Sequence, residues 1–208
     1  MNTLENNIAA VTGVINSPFW FSHEVLGEGF YEAVIKTDRT SEASDKLVVM
    51  VSDRLIDITK DYTGKTVRVD GQFRSYNEWD GERKKLILTI FARDWQEIED
   101  AESKHINEIY LDGVICKAPT YRKTPLGREI SDVILAINGP YGRSDYIPCI
   151  LWGRNARFTG KLEVGTHVTI EGRMQSREYH KKIGEDIHTM VAYEVSGRKI
   201  DVVEESEG

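Results

Sequence analysis

One stretch of this chain recurs about one hundred residues later, and that recurrence limits the possible folds more than any other feature. The run "NNIAAVTGVINSP", beginning at Asn6, aligns with "INEIYLDGVICKAP", beginning at Ile106. Asn7 matches Asn107, Gly13-Val14-Ile15 matches Gly113-Val114-Ile115, Asp45 matches Asp145 and Arg54 matches Arg154. With one residue inserted, "TGKTVRVDGQFRS" then matches "EVGTHVTIEGRMQS", pairing Gly64 with Gly165, Gly71 with Gly172 and Ser75 with Ser176. A nearly constant offset through a whole half indicates duplication, and the period is far too long for a solenoid unit. The 208 residues therefore read as two tandem domains of ordinary size, 1–98 and 105–204. The polar run "EIEDAESKH" is the expected linker.

Each half reads mainly as strands. In "NEIYLDGVIC", Ile109, Leu111 and Ile115 alternate with Tyr110, Asp112 and Val114. Gly113 interrupts the run, as a glycine does where a strand bends. Turn residues in "APTYRKTPLGRE" lead to the strands "EISDVILAIN" and "YIPCILW". The segment "GRNARFTGKLEVG" has room for one short helix closed by a glycine turn. A long strand, "HVTIEGRMQSREY", places Val168, Ile170 and Met174 inward, and the turn "KKIGED" leads to "IHTMVAYEV". The first half follows the same order. Three strands, a short helix and two strands, with a bent first strand serving two sheets, is the pattern of the five-stranded Greek-key barrel called the OB-fold. The expected fold is all-β: two tandem OB-folds, each with a short helix between strands three and four.

Composition excludes several classes. The 40% hydrophobic content suffices for a core. No run approaches the ~18 apolar residues of a membrane span. "MNTLENNIAAVTG" lacks the basic flank and apolar stretch of a signal peptide. Cys116 and Cys149 match no paired metal-ligand spacing and read as reduced thiols of a cytoplasmic protein. The five histidines are scattered, so neither a metal nor another cofactor is expected. No nucleophile–base pair or phosphate-cradling glycine loop points to an enzyme. The net charge of −7 conceals an asymmetry. Residues 1–100 hold twelve Lys and Arg against eighteen Asp and Glu, whereas residues 104–200 hold fifteen against eleven. The basic second half is the candidate for an anionic partner.

OB-folds bind oligonucleotides on the face of strands two and three and the adjoining loops, using aromatic platforms for bases and cations for phosphates. On strand three, Tyr146, Pro148, Ile150 and Trp152 share the outward side, opposite Ile147, Cys149 and Leu151. Arg154 follows Trp152. Strand four presents Thr169, Glu171, Arg173, Gln175, Arg177 and Tyr179, and its hairpin adds Lys181 and Lys182. The first hairpin adds Tyr121, Arg122, Lys123 and Arg128. Each residue alone favours a structural role: Trp152 as a barrel plug, Lys and Arg as solvated or edge-protecting groups. Their convergence on one side of one sheet favours a binding face. In the first half Lys46 and Ser52 stand where the second has Tyr146 and Trp152, so that platform is absent. Trp20, Arg74, Tyr76 and Trp79 remain there as a secondary DNA or subunit contact. The exposed-loop run "SPFWF" needs covering, with docking or assembly favoured over base stacking.

The runs "TPLGREI", "DYIPCILWGRNA" and "VGTHVTIEGRMQSREY" resemble the bacterial single-stranded DNA-binding protein family over most of residues 107–195. There is a weaker similarity to primosomal replication protein N. The resemblance implies base-stacking aromatics at Tyr146, Trp152 and Tyr179 and a basic contact at Arg154. It further implies a non-enzymatic, sequence-tolerant binder of single-stranded DNA in replication, recombination or repair, cytoplasmic and nucleoid-associated. By analogy with two-barrel variants, a homodimer supplies four barrels. The acidic run "VVEESEG" lacks the Phe-terminated tip by which many members recruit replication and repair proteins, so such proteins stand as possible partners without that recruiting tail. The competing expectation is a protein-interaction or primosome-assembly module with weak or no DNA binding, which the net charge of −7 and the depleted face of the first half favour.

Overall fold

Among the described residues the alternating runs form twelve strands and one helix: β1 (Asn7–Ile15), β2 (Trp20–Val25), β3 (Glu28–Asp38), β4 (Ser44–Ser52), β5 (Thr66–Asp80), β6 (Arg83–Glu97), β7 (Asn107–Ile115), β8 (Thr120–Lys123), β9 (Glu129–Asn138), β10 (Ser144–Trp152), α1 (Gly153–Thr159), β11 (His167–Ile183) and β12 (Asp186–Val202). The structure, a computed structural model, describes residues 5–41, 43–80, 83–99, 106–139, 142–183 and 186–204, without the side chains of 78–80, 83–85, 181, 183 and 186. Most of the expected linker, residues 100–105, lies outside the described residues.

In the first half the strands pair in the order β1–β3–β4–β6–β5 and back to β1, all antiparallel except β4–β6. The second half repeats this as β7–β9–β10–β12–β11 and back to β7, with β10–β12 parallel. The first strand of each ring changes partner near its glycine. A Cβ on Gly13 would strike the Lys36 carbonyl, and one on Gly113 the Ala136 carbonyl, so only glycine permits the crossing. Inward residues such as Val11, Ile35, Val49 and Phe73 in one half, and Leu111, Leu135, Ile147 and Ile170 in the other, are fully buried.

The two rings are joined edge to edge. β1 pairs antiparallel with β7, with Ala9 opposite its own equivalent Ile109, flanked by Asn7 opposite Leu111 and Val11 opposite Asn107. Exchange of equivalent partners on either side of one pair is the signature of a local two-fold axis. Asn7 donates from Nδ2 to the Phe73 carbonyl (2.8 Å) and accepts the Phe73 N–H at Oδ1 (2.9 Å). Asn107 makes the same two bonds with Met174, at 2.7 and 2.9 Å. These amides supply partners where the ladders shift register at Asp70/Gly71 and Glu171/Gly172.

Among the described residues the helix appears only in the second half, contrary to the expectation of one in each. Between β4 and β5, Asp57 Oδ1 accepts the Thr59 N–H (3.1 Å) and Asp61 Oδ1 accepts the Thr63 N–H (2.8 Å). Such local turns compete with helical bonding. An aromatic trio packs beside this segment: the centroids of Phe19, Tyr62 and Trp95 lie 5.6–6.0 Å apart. Phe19 of "SPFWF" thus packs within its own half. Each first hairpin also carries an extra outer strand, β2 or β8, where the sequence reading had only a loop.

Replacing Gly172 or Gly71 by Ala drives a Cβ into the carbonyl of Ser196 or Phe91. Each substitution is expected to cost about 1–3 kcal/mol in urea unfolding. Leu126→Ala, at a hairpin tip where Leu126 is 85% exposed, should stay within about 0.5 kcal/mol of the parent.

Candidate nucleic-acid interface

The outer side of β9 and β10 carries a strip of Ala136, Ile134, Pro148 and Ile150, flanked by Asp132, between two aromatic rings. Register places Pro148 opposite Ile134, Ile150 opposite Asp132 and Tyr146 opposite Ala136. Tyr146 is 48% and Trp152 39% exposed, while Ile147, Cys149 and Leu151 are buried. Six residues along a strand separate the rings by ~20 Å. Trp152 does not plug the barrel: its Nε1 donates to Ser196 Oγ (3.2 Å), and its ring lines an open cleft. Burial raises the Cys149 thiol pKa, keeping that core sulfur neutral.

This cleft, about 490 Å³, is lined by Ile150, Trp152, Arg128, Arg173, Gln175, Ser176, Arg177, Glu194 and Ser196, together with Arg39 from the first half. Arg177 approaches Glu194 at 3.6 Å and lies 5.9 Å from the centre of the Tyr179 ring. Gln175 Nε2 donates to Glu194 Oε1 (2.7 Å). Arg122 donates to Asp132 (2.8 Å), and the Tyr121 hydroxyl donates to Glu129 (2.6 Å), a bond that raises the Tyr121 pKa. Lys123, Arg128, Arg154 and Lys182 are exposed and form no ion pair among the described residues. The side chains of Lys181 and Trp79 lie outside the described residues.

Arg173 occupies a different setting from the open phosphate contact expected of it. Its Nη1 donates to Asp45 Oδ2 (2.8 Å) and its Nη2 to Gln175 Oε1 (2.8 Å). Asp45, with no exposed side-chain surface, also accepts the Ser176 N–H (2.9 Å) and bonds from Arg39. Across the local two-fold, Asp145 accepts Arg74 Nη1 (2.8 Å) and the Ser75 N–H (2.7 Å). Each half's strand-three aspartate therefore clasps strand four of the other half. The matches Asp45–Asp145 and Ser75–Ser176 were visible in the repeat, but their partners lie in the opposite half.

The equivalent face of the first half is built differently. Trp20 Nε1 donates to Glu32 Oε2 (3.2 Å) and the Tyr76 hydroxyl to Glu32 Oε1 (2.9 Å). Glu32 is only 7% exposed. The aromatic groups are thus held by a carboxylate, and Arg74 is committed to Asp145. A cleft of about 850 Å³ beside them is lined by His23, Met50, Arg74, Ser75, Tyr76, Thr89, Phe91, Arg143, Ser144 and Asp145. It is larger than the cleft at Trp152 but has fewer cations. Among the described residues, no three His, Cys, Asp or Glu side chains form a group able to hold a metal, and no helix is long and apolar enough to cross a membrane.

A family model described as "Single-strand binding protein family" matches residues 106–202. Single-stranded DNA-binding protein B of Bacillus subtilis is 30% identical over 89 residues, covering 39% of this chain and 79% of that protein. The single-stranded DNA-binding protein of Oceanobacillus iheyensis is 27% identical over 106 residues, 48% of this chain and 64% of that protein. The chain thus spans less than two thirds of the latter relative's length. The wild-type single-stranded DNA binding protein from Thermus aquaticus has the same fold over 97% of this chain and 95% of its own, with a TM-score of 0.76 at 18% identity.

The clasp at Asp45 should matter to stability. Asp45→Ala leaves Arg39 and Arg173 without their shared carboxylate. Because both guanidiniums keep some solvent, the expected loss is toward the lower end of the ~3–5 kcal/mol for breaking a buried pair. Asp132→Ala breaks only an exposed pair and should cost under about 1 kcal/mol. Chemical denaturation of both variants checks the contrast.

Proposed function

The chain belongs to the single-strand binding protein family, and from that premise we propose that it is a non-enzymatic, sequence-tolerant binder of single-stranded DNA whose main binding face lies on the second half. The single observation that carries this reading is the pair of exposed rings, Tyr146 and Trp152, at the ends of that strip beside a cleft rich in guanidiniums. Bases stack on Tyr146, Trp152 and Tyr179. Arg128, Arg154, Arg177, Lys123 and Lys182 contact phosphates, with Lys181 at the hairpin and Tyr121 and Arg122 on the flank. Arg173 faces the same cleft but is oriented by Asp45 and Gln175. Guanidiniums already oriented by carboxylates lose less freedom when a phosphate arrives.

The closed strand rings support reading each half as an OB-fold, with the domains at 1–98 and 105–204. The single-stranded DNA-binding relatives support binding of single strands by this chain, and we place that binding in replication, recombination or repair, in the cytoplasm. A homodimer would present four barrels. A second reading, a protein-interaction module, draws on one observation: in the first half the Trp20 indole N–H and the Tyr76 hydroxyl are both tied to Glu32. On the leading reading, that half is the weaker DNA surface.

Anisotropy titration with labelled oligo-dT tests the proposal. Trp152→Ala and Tyr146→Ala should each lose about 1–3 kcal/mol of binding, the value of one stacked base, while Trp20→Ala stays near the parent. Affinity should fall steeply with added salt as counterions are released. Binding indifferent to salt, or to the loss of both rings, overturns it.

A further inference from the structure

The two clasps are related by the local two-fold but do not carry the same charge. At Asp45, two guanidiniums share one buried carboxylate: Arg39 donates from Nε (2.8 Å) and Nη2 (2.5 Å), and Arg173 from Nη1 (2.8 Å). At Asp145, Arg74 is the one cation among the described residues that donates, and the nearby Arg93 donates to Gln72 Oε1 (2.8 Å). The residue matching Arg39 is Gly139, and a Cβ there would lie 2.9 Å from Arg74 Nη1. The second clasp therefore has no side chain at the position that supplies the extra guanidinium in the first, and one placed there would displace the tip of Arg74.

The surplus charge faces the cleft beside Trp152. Arg39, although it lies beyond β3 in the first half, lines that cleft with Arg128, Arg173 and Arg177. Its Nη2 also reaches the Ser176 carbonyl of the second half, at 3.5 Å. Against these four cations stand Asp45, buried beneath, and Glu194. Burial, followed by the proximity of Arg39, lowers the Arg173 pKa, as expected for two cations competing for one carboxylate. A second anion in the cleft relieves that competition, and a phosphodiester matches the paired N–H geometry of guanidinium groups.

We propose that Arg39, lent by the first half, joins Arg128, Arg173 and Arg177 in a phosphodiester-binding site in the second half's groove, so that the binding face is complete only with both halves present. This rests on the reading of that groove as the single-stranded DNA face. The first half then contributes to binding through a cation held over its neighbour's groove, independently of its own aromatic residues.

The test is oligo-dT binding by the full chain across a salt series, for the parent, Arg39→Ala, Arg39→Lys and Arg68→Ala. Arg68 pairs with Asp70 on β5 and does not line the cleft. Arg39→Ala should weaken binding about ten-fold and reduce the steepness of log K against log salt by about 0.7, the contribution of one single-strand phosphate contact. Arg39→Lys should restore that slope with part of the affinity, and Arg68→Ala should match the parent. A merely structural role would lower affinity without changing the slope and would not be rescued by Lys. An unchanged slope in Arg39→Ala overturns the proposal while leaving the parent's DNA binding intact. Loss of salt-dependent binding in the parent itself would instead overturn the reading on which it rests.

Discussion

The antiparallel pairing of β1 with β7 is the constraint from which the rest of the arrangement follows. Within each ring the first strand bonds to β3 or β9 only near its end, at Val14 and Ile15 or Val114 and Ile115. Its earlier residues would otherwise leave an unpaired backbone edge, which is costly when shielded from water and prone to stray pairing. Joining those edges satisfies both at once and sets Ala9 against Ile109. That register carries the start of β4 to β11, and of β10 to β5, so that Asp45 meets Ser176 and Asp145 meets Ser75. The clasps are a consequence of the sheet join, and the composite cleft is a consequence of the clasps.

Duplication supplies symmetry of backbone; side chains remove it. Tyr146 and Trp152 stand where Lys46 and Ser52 stand in the other half. Arg177 matches Tyr76, and Tyr76 turns to Glu32 while Arg177 lies between Glu194 and the Tyr179 ring. Arg39 matches Gly139. Each exchange moves stacking surface or positive charge toward the second groove. A net acidic protein can thereby present a locally cationic face, which governs where a polyanion approaches more than the total charge does.

Much of the architecture is legible in the sequence because it rests on short-range patterns. Alternation around Ile109 and Leu111, the bend at Gly113 and the inward set on β10 depend on residues close together in the chain. The missing helix in the first half was less legible. The segment "DRLIDITKDYTG" occupies the same place as α1, and only the bonds of Asp57 and Asp61 to Thr59 and Thr63 reveal that turns replace it. Candidate stacking residues could be found from their alternation with a core strand. The role of Arg39 could not, because its significance comes from contacts 137 residues away, at Ser176. For the same reason Asp45 and Asp145 announced themselves as a matched pair without disclosing what they hold.

On the proposed reading the two halves share a fold but divide the binding unequally, with the groove at Trp152 as the principal site. Ultraviolet crosslinking of oligo-dT to the full chain, followed by peptide mapping, addresses that claim residue by residue. The account predicts crosslinks concentrated at Tyr146, Trp152 and Tyr179, with few at Trp20 and Tyr76. Equal crosslinking of the two sets, or a preference for the first half, would contradict it.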